Sequence, residues 1–133
     1  MKRTKVLLVD DEVEFATALA ERLNLRNYDA KAVFCAEDAF AMANNNPPDV
    51  ILLDMNMPGL HGFEVVDELK KFDPTVEIII LSGQGGLSDA KDVAGVFDYL
   101  VKPIDIRELM NLIDKAQLAR IEQAAQNRRP HGT

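Results

Sequence analysis

Val6-Leu7-Leu8-Val9-Asp10-Asp11-Glu12 sets the pattern of this chain: a short, unbroken apolar run that stops abruptly at acid. A strand-like run stops at a polar or charged residue three times more. Val50 to Leu53 stops at Asp54, Ile78 to Leu81 at Ser82, and the strand-like run Phe97 to Val101 at Lys102. Runs of this length read as strands, and those without polar alternation as strands buried on both faces. In an open parallel sheet the carboxyl ends of all strands share one edge, where ligands bind. Residues far apart in sequence therefore converge there in one acidic pocket.

The segments between these runs read as helices. From Glu12 to Arg26, Val13, Ala16, Leu19, Ala20 and Leu23 recur at helical spacing, with Asp11 available as the cap. Ala30 to Phe34 is a weaker strand, and Ala36 to Asn45 an alanine-rich helix stopped by Asn46, Pro47 and Pro48. Met57 to Gly62 forms a turn, and Phe63 to Phe72 a helix with Phe63, Val66 and Leu69 inward. A fourth strand, Val76 to Leu81, leads through glycine-rich Ser82 to Gly86 into a weak helix at about Ser88 to Ala94. The last helix opens with a capping box, Asp105 with Glu108, places Ile106, Leu109, Met110 and Ile113 on one face, and extends to about Ala125.

Five strand and helix units in strict alternation imply an α/β fold, a doubly wound parallel sheet with helices on both faces. Lys31 in the second strand and Asp98 in the fifth mark the sheet edges, which the order 2-1-3-4-5 satisfies. With 133 residues, 47% of them apolar, the chain is one domain, spanning about residues 1–120. Residues 121–133 read as a helix extension and a disordered tail, since apolar periodicity is lost from Gln123 onward.

A net charge of −7 with dispersed basic residues speaks against direct nucleic acid binding, which needs a basic stripe, and suits a cation or a basic partner face. Cys35 is the only cysteine, so no intrachain disulfide forms and the expected setting is reducing and cytoplasmic. The basic start Lys2, Arg3, Lys5 is no signal peptide, because the apolar run behind it is too short and ends in three acids. No stretch approaches the roughly 20 apolar residues of a membrane-spanning helix, so no membrane insertion is expected.

Singly, each strand-end residue has a plain structural role: an Asp after a strand caps a helix, a Ser in a glycine loop forms a turn. Together they conflict. Unit like charges about 4 Å apart repel by about 4 kcal/mol at an effective dielectric of 20, so Asp10, Asp11 and Asp54 need compensation. A hard divalent cation supplies it; Mg²⁺ takes one or two carboxylates plus water and phosphate oxygens, leaving a carboxylate as nucleophile. Lys102 and Ser82 are then placed to hold the oxygens of a transferred phosphoryl group.

Val9-Asp10-Asp11-Glu12, Leu53-Asp54-Met55-Asn56-Met57-Pro58-Gly59 with Gly62, Leu81-Ser82-Gly83 and Asp98-Tyr99-Leu100-Val101-Lys102-Pro103 resemble the receiver domain of two-component response regulators, over about Lys5 to Ala119. The resemblance implies a flavodoxin-like fold and a role for each matching residue. Asp54 is the phosphoacceptor, which takes its phosphoryl group from the phosphohistidine of a sensor histidine kinase or phosphotransfer protein. Asp10, Asp11, Asp54 and the backbone carbonyl of Asn56 are the Mg²⁺ ligands. Ser82 is the switch hydroxyl, Lys102 the phosphoryl-binding lysine, Tyr99 the aromatic that follows the hydroxyl, and Pro103 follows a cis peptide. Asn56 and Gln84 sit where the family tunes hydrolysis, and Gly83 leaves access. His61 and His131 have no partner at metal-ligand spacing and read as bystanders, and the glycines 83, 85 and 86 lack the spacing of a dinucleotide fingerprint.

The resemblance further implies a switch that turns over no external substrate, a downstream protein effector and a phosphorylation-dependent homodimer. About thirty residues follow Lys102, so a stand-alone receiver is expected. The alternative is the receiver of a longer effector, with Gln117 to Gln126 starting a linker helix. The segment between Ser82 and Gly95 is about two residues shorter than the common pattern, and a short or mobile helix is expected there. From other classes, a haloacid-dehalogenase-like phosphatase normally carries a second Asp where this chain has Asn56, and a flavodoxin-like flavin carrier is poorly served by an acidic first loop.

Overall fold

The computed structural model describes residues 2–57, 62–83 and 94–127. Five strands, β1 (Lys5–Val9), β2 (Asp29–Val33), β3 (Val50–Asp54), β4 (Glu77–Ser82) and β5 (Asp98–Val101), pair in parallel in the order β2-β1-β3-β4-β5. The helices among the described residues are α1 (Val13–Asn24), α2 (Ala36–Asn45), α3 (Gly62–Phe72) and α4 (Ile106–Asn127). The weak helix expected near Ser88 to Ala94 lies, except for Ala94, outside the described residues, as do Gly59, His61, Gln84, Gly85, Gly86 and His131.

Strand parity sorts the core into two layers, because successive side chains leave a strand on opposite faces. Val6, Leu8, Val50, Leu52, Ile79 and Leu81 meet Ala16, Leu19 and Leu23 of α1 and Leu109, Ile113 and Ala116 of α4. Leu7, Val9, Ile51, Leu53, Ile78 and Ile80 meet Ala39 and Ala43 of α2 and Val65, Val66 and Leu69 of α3. The central strands β1, β3 and β4 thus bury both faces, which is why they carry no polar alternation. Lys31 and Asp98 do fall on the two edge strands.

Two local expectations need adjustment. Glu12, not Asp11, occupies the N-cap of α1 and makes no side-chain capping bond. The Asp10 carboxylate instead accepts the Glu12 N–H, at 2.9 Å, so the acid that ends the strand also fixes the helix start. At the other end of the chain, α4 runs to Asn127, two residues past the end expected near Ala125, and the tail expected beyond it, 128–133, lies outside the described residues. Its start is as expected: the Asp105 carboxylate accepts the N–H groups of Arg107 and Glu108, at 2.8 and 3.4 Å.

The second half of α4 runs past the core and is pinned from the sheet's amino edge. Asp49, just before β3, accepts the Lys5 N–H at 2.9 Å and the Gln117 amide at 3.1 Å, and pairs with Arg120 at 3.1 Å. Tyr28 adds a bond from β2's approach, its hydroxyl donating to Asp114 at 2.6 Å. Removing one carboxylate that satisfies three donors costs more than one ordinary hydrogen bond. Asp49→Ala should lower stability by about 1 to 3 kcal/mol in urea titrations and release amide protection over Gln117 to Gln126 first.

Candidate functional site

Strand register builds the site. Val9 lies beside Leu53 and Asp54 beside Leu81, so Asp10 and Asp54 emerge side by side from β1 and β3. Ser82 lies beside Val101, which brings Lys102 to the same edge; the Lys102 N–H donates to the Ser82 carbonyl at 2.7 Å. Among the described residues the buried polar and charged side chains are Asp10, Asp54 and Ser82, at 0%, 2% and 0% exposure. All three lie at the carboxyl edge. Burying polar groups there costs free energy that a purely structural edge has no reason to spend.

Lys102 compensates the carboxylates. Its ammonium donates to Asp10 Oδ2 at 2.9 Å and to Glu12 Oε1 at 3.0 Å, lies 3.8 Å from Asp54 Oδ1, and sits 4.5 Å from the centre of the Phe15 ring. Burial alone would lower the Lys102 pKa, but the bonds to Asp10 and Glu12 and the nearby charges outweigh it and the net shift is upward. Asp54 also accepts the Asn56 N–H, at 3.1 Å. Burial pushes Asp54 up to about 6, with the Asp10 charge adding to the rise, while the Asn56 bond and Lys102 pull it down.

One carboxylate oxygen each from Asp10, Glu12 and Asp54 lies within 4.8 Å of the others. Among the described residues, three carboxylates against one ammonium leave an excess of negative charge, and an all-oxygen donor set suits a hard divalent cation. Asp11, expected in this set, is exposed, and among the described residues its carboxylate is not part of that group. Asn56 is exposed at the rim, with its side-chain amide 3.2 Å from where a Cβ on Gly83 would stand. Ser82 Oγ donates to the Gly83 carbonyl at 3.0 Å. Tyr99 is half-buried on β5 beside Ile80, packed against the α2 and α3 layer. The Lys102-Pro103 peptide is cis.

Glu12 and Phe15 join the site beyond the residues that the sequence singles out. Their signal was present: Glu12 follows the acidic pair directly, and a spacing of three places Phe15 on the same helical face.

The model of the response regulator receiver domain matches residues 6–114. The chain belongs to this family. The receiver is 37% identical over 118 residues to the transcriptional regulatory protein PrrA of Mycobacterium tuberculosis, covering 87% of this chain and 50% of that protein. It is 30% identical over 113 residues to the transcriptional regulatory protein ZraR of Salmonella typhimurium, covering 84% of this chain and 26% of that protein. A receiver-domain crystal structure from Clostridium thermocellum superposes with a TM-score of 0.82 at 28% identity, covering 90% of this chain and 98% of that one. The chain thus spans about half or less of the length of these curated relatives, whereas it matches solved receiver domains nearly end to end. Signal transduction is the business of this family, and none of the helices among the described residues is long and apolar enough to cross a membrane.

Proposed function

We infer that this receiver is a phosphoacceptor whose Asp54 takes a phosphoryl group from a phosphohistidine, in a Mg²⁺-dependent step that switches a protein-interaction surface. One observation carries the reading: a buried carboxylate, Asp54, held beside a second buried acid and within reach of the Lys102 ammonium at the sheet's carboxyl edge.

The step balances simply. An Asp54 oxygen attacks phosphorus, the P–N bond to the donor imidazole breaks, and the imidazole leaves with the electron pair and takes a proton. Positioning and charge stabilisation do the rest. Asp54 at a pKa of about 6 is mostly ionised at neutral pH and so available as a nucleophile. Lys102 supplies positive charge next to the atoms where phosphoryl oxygens would arrive, and Ser82, buried at the end of β4, can exchange its bond to the Gly83 carbonyl for one to such an oxygen. A bound Mg²⁺ would neutralise the transferring oxygens, held by Asp10 and Asp54 with Asp11 and the Asn56 carbonyl as the family resemblance implies, and with Glu12 in reach. Tyr99 would report the movement of Ser82 to the surface beyond β5. That is a two-state element biased by new charge-assisted bonds.

The partners proposed are a sensor histidine kinase or phosphotransfer protein upstream and a protein contact downstream, in the cytoplasm and without turnover of an external substrate. Because the matched relatives continue well beyond the matched segment, the receiver of a longer effector is favoured over the stand-alone switch. Their names speak of transcriptional regulation, which in this reading belongs to sequence outside the receiver.

Intact mass after incubation with acetyl phosphate and Mg²⁺ tests the reading. A single phosphoryl adduct should form, vanish with chelator, and be missing in Asp54→Asn. Steady release of phosphate from small esters would instead favour a phosphatase.

A further inference from the structure

An ammonium carries three N–H donors, and two of those on Lys102 are committed on the α1 side of the pocket, to Asp10 at 2.9 Å and Glu12 at 3.0 Å. The distance to Asp54, 3.8 Å, is too long for a hydrogen bond. Phe15, one helical turn after Glu12, offers its ring face at 4.5 Å, within the range of a cation–π contact. Two of these contacts, from Glu12 and Phe15, are made by α1 alone, and they draw the ammonium toward the helix. Asp10 is fully buried and Lys102 partly so, at 0% and 15% side-chain exposure, while the Glu12 side chain is 62% exposed. The pocket's outermost bond is therefore its most replaceable one.

We propose that Glu12 and Phe15 form a resting berth that holds Lys102 back from the acceptor, making Glu12 a positioning residue that sets how readily the phosphorylated state closes. This rests on the phosphoacceptor reading of Asp54. A phosphoryl group on Asp54 brings three strong acceptor oxygens and new negative charge, and Lys102 reaches them by giving up Glu12 while keeping its link to Asp10. Glu12 thus competes with the phosphoryl group for one donor. Because the competing carboxylate is solvated, the competition is modest and screened by salt.

The test measures the affinity of the Mg²⁺-loaded protein for beryllofluoride by titration calorimetry, with wild type, Glu12→Gln, Phe15→Leu and Glu14→Gln. Glu14 lies in the first turn of the same helix and controls for net charge. Glu12→Gln should bind roughly two- to five-fold tighter, with the gain lost near 1 M salt, Phe15→Leu should shift in the same direction, and Glu14→Gln should stay near wild type. In parallel, nitrogen-15 lysine spectra without beryllofluoride should show slow proton exchange at Lys102 Nζ in wild type and fast exchange in Glu12→Gln. Equal or weaker beryllofluoride binding by Glu12→Gln overturns the proposal, as does a Lys102 Nζ exchange rate that ignores the substitution. Failure of wild type itself to bind beryllofluoride would overturn the phosphoacceptor reading, and the berth would still stand or fall on the exchange measurement.

Discussion

Lys102→Met should cost this receiver about 3 to 5 kcal/mol at pH 7 in the presence of a chelator, because removing one partner of a buried ion pair leaves the other charge uncompensated. Here two such charges remain, on Asp10 and Asp54, both essentially without solvent. Methionine keeps most of the volume of the lysine stem, so the loss is electrostatic and not a cavity. Two accompaniments distinguish this from a packing defect. Stability of the variant should recover toward pH 4, as Asp54 takes up a proton and one of the repelling charges disappears. It should also recover with millimolar Mg²⁺ at pH 7, by an amount larger than wild type gains, since the cation then fills the role of the ammonium. Urea titrations across pH, with and without Mg²⁺, read both. A loss below about 0.5 kcal/mol, the ordinary result for a solvated surface lysine, would contradict the arrangement.

The second large effect has the opposite sign. Asp54 is held at about 6 against 3.8 for an ordinary aspartate, so the folded state binds its proton more tightly than the unfolded chain does. Below about pH 4 the carboxyl is protonated in both states and costs nothing. As pH rises through 6 the folded state must carry a buried charge, and stability falls by about 3 kcal/mol, two pKa units at about 1.4 kcal/mol each. Asp54→Asn should therefore be more stable than wild type by up to about 3 kcal/mol at pH 7 to 8 in chelator, and no more stable than wild type below pH 4. The asparagine carbonyl still accepts the Asn56 N–H, so that bond is not lost. A variant destabilised at pH 7 would show that Asp54 is a structural anchor and not a strained acceptor. Function and stability oppose one another here, as is common where an active group is held in an unfavourable place.

The fold was readable because its deciding signals are local. Unbroken apolar runs at β1, β3 and β4 mark strands covered on both faces, and Lys31 in β2 and Asp98 in β5 mark the edges. Boundaries moved by a residue or two where capping chemistry decided them: the Asp10 carboxylate turned inward to hold the Glu12 N–H, leaving Asp11 exposed and uninvolved in the cap. The end of α4, expected near Ala125, falls at Asn127; its second half is held by tertiary bonds to Asp49, which lies 68 residues before Gln117, and not by an apolar stripe. In the site, Asp10, Asp54, Ser82 and Lys102 meet because each ends a strand, which a sequence displays. Glu12 and Phe15 stand next to the acidic pair in sequence, but their part in the site follows from the direction of the Lys102 side chain, which depends on competition among three carboxylates.

The most direct test locates the phosphoryl group. After acetyl phosphate and Mg²⁺, borohydride reduction converts an aspartyl phosphate to homoserine, and peptide mapping by mass spectrometry reads the position. Homoserine at position 54 and at no other aspartate is the result expected. Homoserine at Asp10 or Asp11, or none despite a measured phosphoryl adduct, would contradict the assignment of Asp54 as the acceptor.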